Sequence, residues 1–207
     1  FDFRCQTVPN GTYKVYPIYR DMENGEWHYP STNPKDGTPT IKVDVPVSYI
    51  YNAQDLVAYR EQVEKGINGC AIIMNDIDMS EVCGQAKGNW TPIGSTAAPF
   101  KGRVIGNGHV ISNLYIRNTK PYQGLFGAIG DGAYITGITL DNTCNIRGGS
   151  YVGGIAGGSN IGGFVTITNC GNEGTIYATQ QNGGGIIGCS NGSHATFIIK
   201  DCYNTGV

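Results

Sequence analysis

Between residue 89 and the end, apolar positions follow neither a 3.6-residue period nor an unbroken two-residue one. They come as short groups set between glycine, asparagine, serine and threonine, and the same grouping returns along the chain. Ile111, Ile135, Ile167 and Ile199 head one set, at spacings of 24, 32 and 32 residues. Three positions on, the column reads Leu114, Ile138, Cys170, Cys202; two further on it reads Ile116, Leu140, Asn172, Asn204. Two positions before each isoleucine stand His109, Ala133, Val165 and Phe197. A second set, Gly-apolar-apolar-Gly, occurs at 124–127, 154–157 and 185–188, spaced by 30 and 31.

The column two residues after each isoleucine is Asn113, Gly137, Asn169, Asp201. These residue types tolerate a left-handed backbone. They sit between apolar positions three apart, a spacing that breaks strand alternation, so a corner with positive φ is predicted at each. A repeat of about 30 residues, built of strands and corners without helix, predicts an all-β fold, a β-solenoid whose coils stack on one another. Equivalent side chains would then lie about 4.8 Å apart in parallel ladders. Isoleucine, valine and cysteine would fill the interior, and Asn172 over Asn204 would form an amide ladder. Alternating strands of a β-sandwich would not require so constant a period.

Residues 1–48 read differently. "GTYKVYPIYR" (11–20) and "TIKVDVPV" (40–47) alternate, with turn-rich sequence between them. They predict the last strands of an Ig-like β-sandwich, incomplete in this chain because 48 residues hold too little core. Residues 52–66 predict one helix. Asn52 is its N-cap, Asp55 is in the first turn, Leu56, Tyr59 and Val63 share a face, and Gly66 is the stop. That helix would cap the open edge of the first coil. "CAIIMNDIDMS" (70–80) predicts a strand with acids at its far end. The domain reading is thus 1–48, a partial sandwich, and 49–207, a β-helix. No capping signal follows "CYNTGV", and the parent protein is expected to continue.

Composition sharpens the division. Of 32 glycines, 25 lie in 89–207, which holds only ten charged residues. The net charge of −2 and the lack of a basic stripe give no basis for nucleic-acid binding. No apolar run is long enough to span a membrane. Seven cysteines without a CxxC, and three scattered histidines, give no zinc pattern and call for no cofactor. Cys170 and Cys202, stacked at equivalent corners, are expected to be free thiols.

"GLFG" with "ITGITLDN", "YVGGIAG…TITNCGNEGTI" and "GGGIIG…IKDCYNTGV" resemble the GLUG-motif repeats of bacterial surface proteins, here over 122–207. "DIDMS…NWTPIG…APFKGRVIGNGHVISNLYI" is similar to the segment that leads into those repeats in gut Bacteroidetes and some Firmicutes. Only 124–127 matches the named motif strictly; later copies carry Ile for Leu. The resemblance implies an exported, extracellular or cell-surface right-handed β-helix in a larger adhesin-like protein, and no catalytic residues. The HExxH helix of proteases that accompany some such repeats is absent.

Candidate chemistry is sparse. Asp76, Asp78 and Glu81 form the densest acid group and could hold calcium; an outward polar face is the plainer reading. His109 has no orienting acid nearby in sequence and is expected to be packed or turn-bonded. Asp131, Asp141, Glu173 and Asp201 do not converge in the aligned columns as a glycosidase or lyase would need. Tyr115, Tyr122, Tyr134, Tyr151 and Tyr177 are surface candidates for contact with a host glycan or extracellular protein, or with neighbouring domains and protomers. The reading is a non-enzymatic adhesin-like or stalk module. A carbohydrate-active β-helix enzyme and a surface-filament subunit are the alternatives.

Overall fold

The computed structural model describes residues 11–14, 19–20, 27–28, 40–43, 47–159, 162–190 and 195–207. The chain divides into two units, Phe1–Pro46 and Val47–Val207. In the first, β1 (Gly11–Lys14), β2 (Tyr19–Arg20), β3 (Trp27–His28) and β4 (Thr40–Val43) are strands. β1 pairs antiparallel with β4, and β2 with β3. The Ig-like sandwich expected over 1–48 lies otherwise outside the described residues.

The second unit opens with β5 (Val47–Ile50), so residues 47 and 48, expected with the preceding strands, belong to the solenoid sheet. Helix α1 (Ala53–Glu64) follows. Asn52 Oδ1 accepts from the Asp55 N–H at 3.0 Å, and Asp55 Oδ2 accepts from the Tyr51 N–H at 2.9 Å. Two backbone donors at the helix start are thereby satisfied. Ala53, Leu56, Tyr59 and Val63 are buried, the face that the spacing predicted. The Tyr59 ring meets Phe100 edge-on at 6.4 Å, and its hydroxyl donates to the Gly69 carbonyl at 3.1 Å. The helix therefore shares one apolar core with Trp90, Ile93 and Phe100 of the first coil.

The strand expected over 70–80 is broken. β6 (Cys70–Ile73) and β7 (Ile77–Asp78) are separated, and a 3₁₀ turn (Met79–Glu81) follows. Asp78 explains the stop: its side chain accepts from the Ser80 N–H, and such a local bond competes with the ladder.

The coils then run in order. β8 (Arg103–Ser112), β9 (Tyr115–Arg117) and β10 (Phe126–Ala128) come first. β11 (Tyr134–Leu140), β12 (Asn145–Gly148), β13 (Val152–Gly153) and β14 (Ala156–Ser159) retrace the course. So do β15 (Gly163–Thr168), β16 (Gly171–Asn172), β17 (Thr175–Ala178), β18 (Gly183–Gly184) and β19 (Ile187–Ser190). β20 (Ala195–Lys200) and β21 (Tyr203–Asn204) complete the described part. Four ladders result: β5–β6–β8–β11–β15–β20, β9–β12–β17, β10–β14–β19 and β13–β18. The pairings between coils are parallel, which makes this unit a β-solenoid.

Ile135, Ile167 and Ile199 lie opposite one another, as do Phe126, Ala156 and Ile187 of the glycine rung. Asn113, Gly137, Asn169 and Asp201 have φ of 56°, 69°, 52° and 53°, all left-handed as predicted. Asn172 Nδ2 donates to Asn204 Oδ1 at 2.7 Å, the expected amide ladder.

The first member of each column is corrected. Val104, not Ile111, faces Ile135; Ile111 faces Leu140, and His109 faces Ile138 rather than Ala133. Ile116 stacks on Ile146 and not on Leu140, and Leu114 precedes Tyr115, which faces Asn145. The cause is a longer corner. Gly106, Asn107 and Gly108 stand against Gly137 alone, and Asn107 and Gly108 both take positive φ, 54° and 81°. Asn113 turns a separate corner, between β8 and β9. A further copy of the glycine rung, Ile93-Gly94, bridges Phe126 from the preceding coil.

The rung has little room. A Cβ on Gly154 would lie 2.4 Å from the Gly185 carbonyl oxygen, and one on Gly157 would lie 2.6 Å from the Tyr122 backbone. Burial grades down a column: Ile135 and Ile167 are fully buried, whereas Ile199 is 46% exposed. Ile167→Ala should therefore cost about 2–5 kcal/mol, as for deletions in a closed core, and Ile199→Ala much less. Denaturant unfolding of the two variants checks this, and equal losses would contradict the difference in burial between the two positions.

Candidate functional site

The acid group of the first coil is built into the stack. Asp76 Oδ1 accepts from the Val110 N–H at 2.9 Å and lies 3.0 Å from His109 Nδ1. Asp78 Oδ1 accepts from the Ser80 N–H at 2.9 Å and from Asn113 Nδ2 at 2.8 Å. The Val110 N–H, with His109 beside it, holds the Asp76 carboxyl below its ordinary value of 3.8. The Ser80 N–H and then the Asn113 amide do the same for Asp78. Both acids thus tie one coil to the next. His109 finds in Asp76 an orienting acid that lies 33 residues away in sequence. Glu81 sits exposed on the 3₁₀ turn, where its carbonyl accepts from Lys87 Nζ at 3.1 Å. Among the described residues no three His, Cys, Asp or Glu gather as a metal ion would require.

The other acids stand apart. Asp131 accepts from the Phe164 N–H at 2.8 Å, Asp141 from the Thr143 N–H at 3.0 Å, and Glu173 from the Tyr203 hydroxyl at 3.0 Å. Asp201 lies 3.7 Å from Lys200 Nζ. Cys170 and Cys202 are free thiols, as expected, and so are Cys83 and Cys144. Burial pushes the Cys144 and Cys170 thiols up to about 12, so both behave as small core residues.

The five tyrosines fall in three places. Tyr134 stacks under the Arg103 guanidinium, 4.1 Å from its ring centroid. Tyr122 and Tyr151 stack on each other at 4.8 Å, both in left-handed corners. Tyr122 borders a trough of about 360 Å³ with Asn118, Lys120 and Gln123. Tyr115 and Tyr177 lie on the β9–β12–β17 ladder.

That ladder carries the most ordered outward face. Ile116 and Ile146 point into the core. The alternate positions point outward, as strand geometry requires: Tyr115 and Arg117, Asn145 and Arg147, Thr175 and Tyr177. With Gln85 they line an open trough of about 300 Å³. Arg147 faces Arg117 on one side and Tyr177 on the other, with its guanidinium 5.2 Å from the Tyr177 ring centroid. Arg117 and Arg147 are absent from the sequence-based candidates. Their signal was available: "YIR", "NIR" and "TIY" begin at 115, 145 and 175, 30 residues apart.

No family model matches this chain, and no solved structure matches it. Over 69 residues it is 35% identical to the "Putative Gly-rich membrane protein" of Evansella cellulosilytica. The match covers 33% of this chain and 8% of that protein. Among the described residues no helix is long and apolar enough to cross a membrane.

The two lowered carboxylates make a pH prediction. A depressed folded-state value contributes stability above the ordinary value near 3.8 and loses it as pH falls below. The melting temperature should therefore fall on acidification through that range, with a shallower fall in an Asp76→Asn/Asp78→Asn variant. Parallel curves for the two proteins would contradict the role given to these acids.

Proposed function

We propose that this chain is a non-enzymatic module of a larger exported bacterial surface protein. In this reading the solenoid is a stiff adhesin-like stalk or scaffold, and its outward faces and corners contact a host glycan or an extracellular protein. The observation that carries the reading is the parallel pairing that continues from β8 to β20, with its register shifting at the Gly106–Gly108 corner opposite Gly137. Such a stack holds its outward side chains at fixed spacing and resists bending. The scattered acids, each bonded at its own corner, support a binding role over glycan cleavage. The resemblance to GLUG-motif repeats, a right-handed course of the coils and an Ig-like sandwich over 1–48 belong to the same proposal. The match to part of a protein named as a Gly-rich membrane protein is compatible with a surface location.

The test is an array of host glycans and matrix proteins probed with the intact chain, with a parallel assay for new reducing ends or unsaturated sugar products. Saturable capture without cleavage is expected. Cleavage of any polysaccharide would replace this reading with that of a β-helix enzyme, and failure to bind anything would reduce it to a scaffold alone.

A further inference from the structure

We propose that the outer face of β9–β12–β17 is a binding site for an anionic saccharide, a chain bearing uronate carboxylates or sulfate esters. The inference rests on the reading of this chain as a glycan-contacting module and names the ligand class and the residues. Arg117 and Arg147 occupy directly opposed positions on adjacent rungs, about 4.8 Å apart. Like charges so placed destabilise a sheet. Among the described residues neither guanidinium forms an ion pair, and no carboxylate lines the trough. The Tyr177 ring offsets part of the cost on Arg147 alone. The pair is exposed in a module whose glycine-rich half carries very few charges, so the placing of two of them side by side on one trough points to a ligand that brings the anion.

The surroundings select a sugar. Tyr115 and Tyr177 stand at diagonally opposite corners of a grid two rungs deep, about 10 Å. Both offer flat aromatic surface with a polar edge. Asn145, Thr175 and Gln85 supply neutral donors and acceptors between them. Two forked guanidiniums between them suit a carboxylate or sulfate. A nucleic acid would require a longer basic track than two arginines.

Calorimetry on the full chain tests this with oligogalacturonate, chondroitin sulfate oligosaccharide, neutral maltohexaose and a poly-glutamate peptide. The two acidic saccharides should bind, more weakly as salt rises, and maltohexaose should not. Stronger binding of oligogalacturonate would assign the site to carboxylates, and stronger binding of the chondroitin sulfate would assign it to sulfates. Arg117→Gln/Arg147→Gln, both on exposed positions, should weaken binding roughly tenfold or more at a melting temperature no lower than the parent's, since the like-charge cost is removed. Tyr177→Ala should weaken it by a smaller factor. Equal binding of maltohexaose or of poly-glutamate would overturn the proposal, as would an undiminished double variant. In those cases capture of some glycan or matrix protein on the array would leave the broader surface-module reading standing.

Discussion

Close approach of one backbone coil to the next is the constraint on which the rest of this unit depends. Parallel ladders form only if successive coils sit about 4.8 Å apart along every face. At the Gly-apolar-apolar-Gly rung that spacing leaves no volume for a Cβ: Gly154 abuts the carbonyl of Gly185, and Gly157 abuts the backbone of Tyr122. The glycines forgo packing of their own so that the apolar residues between them, Leu125, Phe126, Ile155 and Ala156, can be fully buried. The left-handed corners at Gly137, Asn169 and Asp201 serve the same end, because they return the second apolar residue of each strand to the interior. Where the stack begins, α1 supplies an apolar face in place of a coil, with Leu56, Tyr59 and Val63 closing the core against Phe100.

Much of this was legible in the sequence, for identifiable physical reasons. Corner residues are few in kind, so the asparagines, aspartate and glycine at positive φ stood out. The helix showed its cap, its face and its stop within fifteen residues of sequence. The amide ladder required only that Asn172 and Asn204 share a column, and the constant spacing of 32 secured that. Register at the first coil was less legible. The corner Gly106-Asn107-Gly108 is two residues longer than its successor, and Ile111 fell by chance into a plausible apolar position. Only backbone pairing shows that Val104 is the true partner of Ile135. The break after Ile73 was hidden as well, because the apolar pattern continues through Ile77 and Met79, while the Ile73 carbonyl accepts from the Asn107 side chain and the Asp76 side chain accepts from the Val110 N–H, both bonds to the next coil.

The outward faces were harder to read, because specificity there depends on which loops and ladders become neighbours. Tyrosines alone drew attention to the surface, yet the five are distributed over three separate places. The ordered face emerged when the triplets at 115, 145 and 175 were brought into register, which set Arg117 beside Arg147 and Arg147 beside Tyr177. In the same way the link between Asp76 and His109 crosses from one coil to the next. A stack of this kind turns a 30-residue period into adjacency, and the proposed recognition of an acidic glycan rests on that conversion.

The most direct test of the account is the thermal and denaturant stability of Gly157→Ala set against Gly183→Ala. A Cβ at Gly183 would meet the Ala178 Cβ at 3.2 Å, a contact that a small shift relieves, whereas at Gly157 it meets backbone at 2.6 Å. The account predicts a loss of about 1–3 kcal/mol for Gly157→Ala, in the range of overpacked cores, and a clearly smaller effect for Gly183→Ala. A Gly157→Ala protein as stable as the parent, with undiminished hydrogen-exchange protection across β10, β14 and β19, would contradict it.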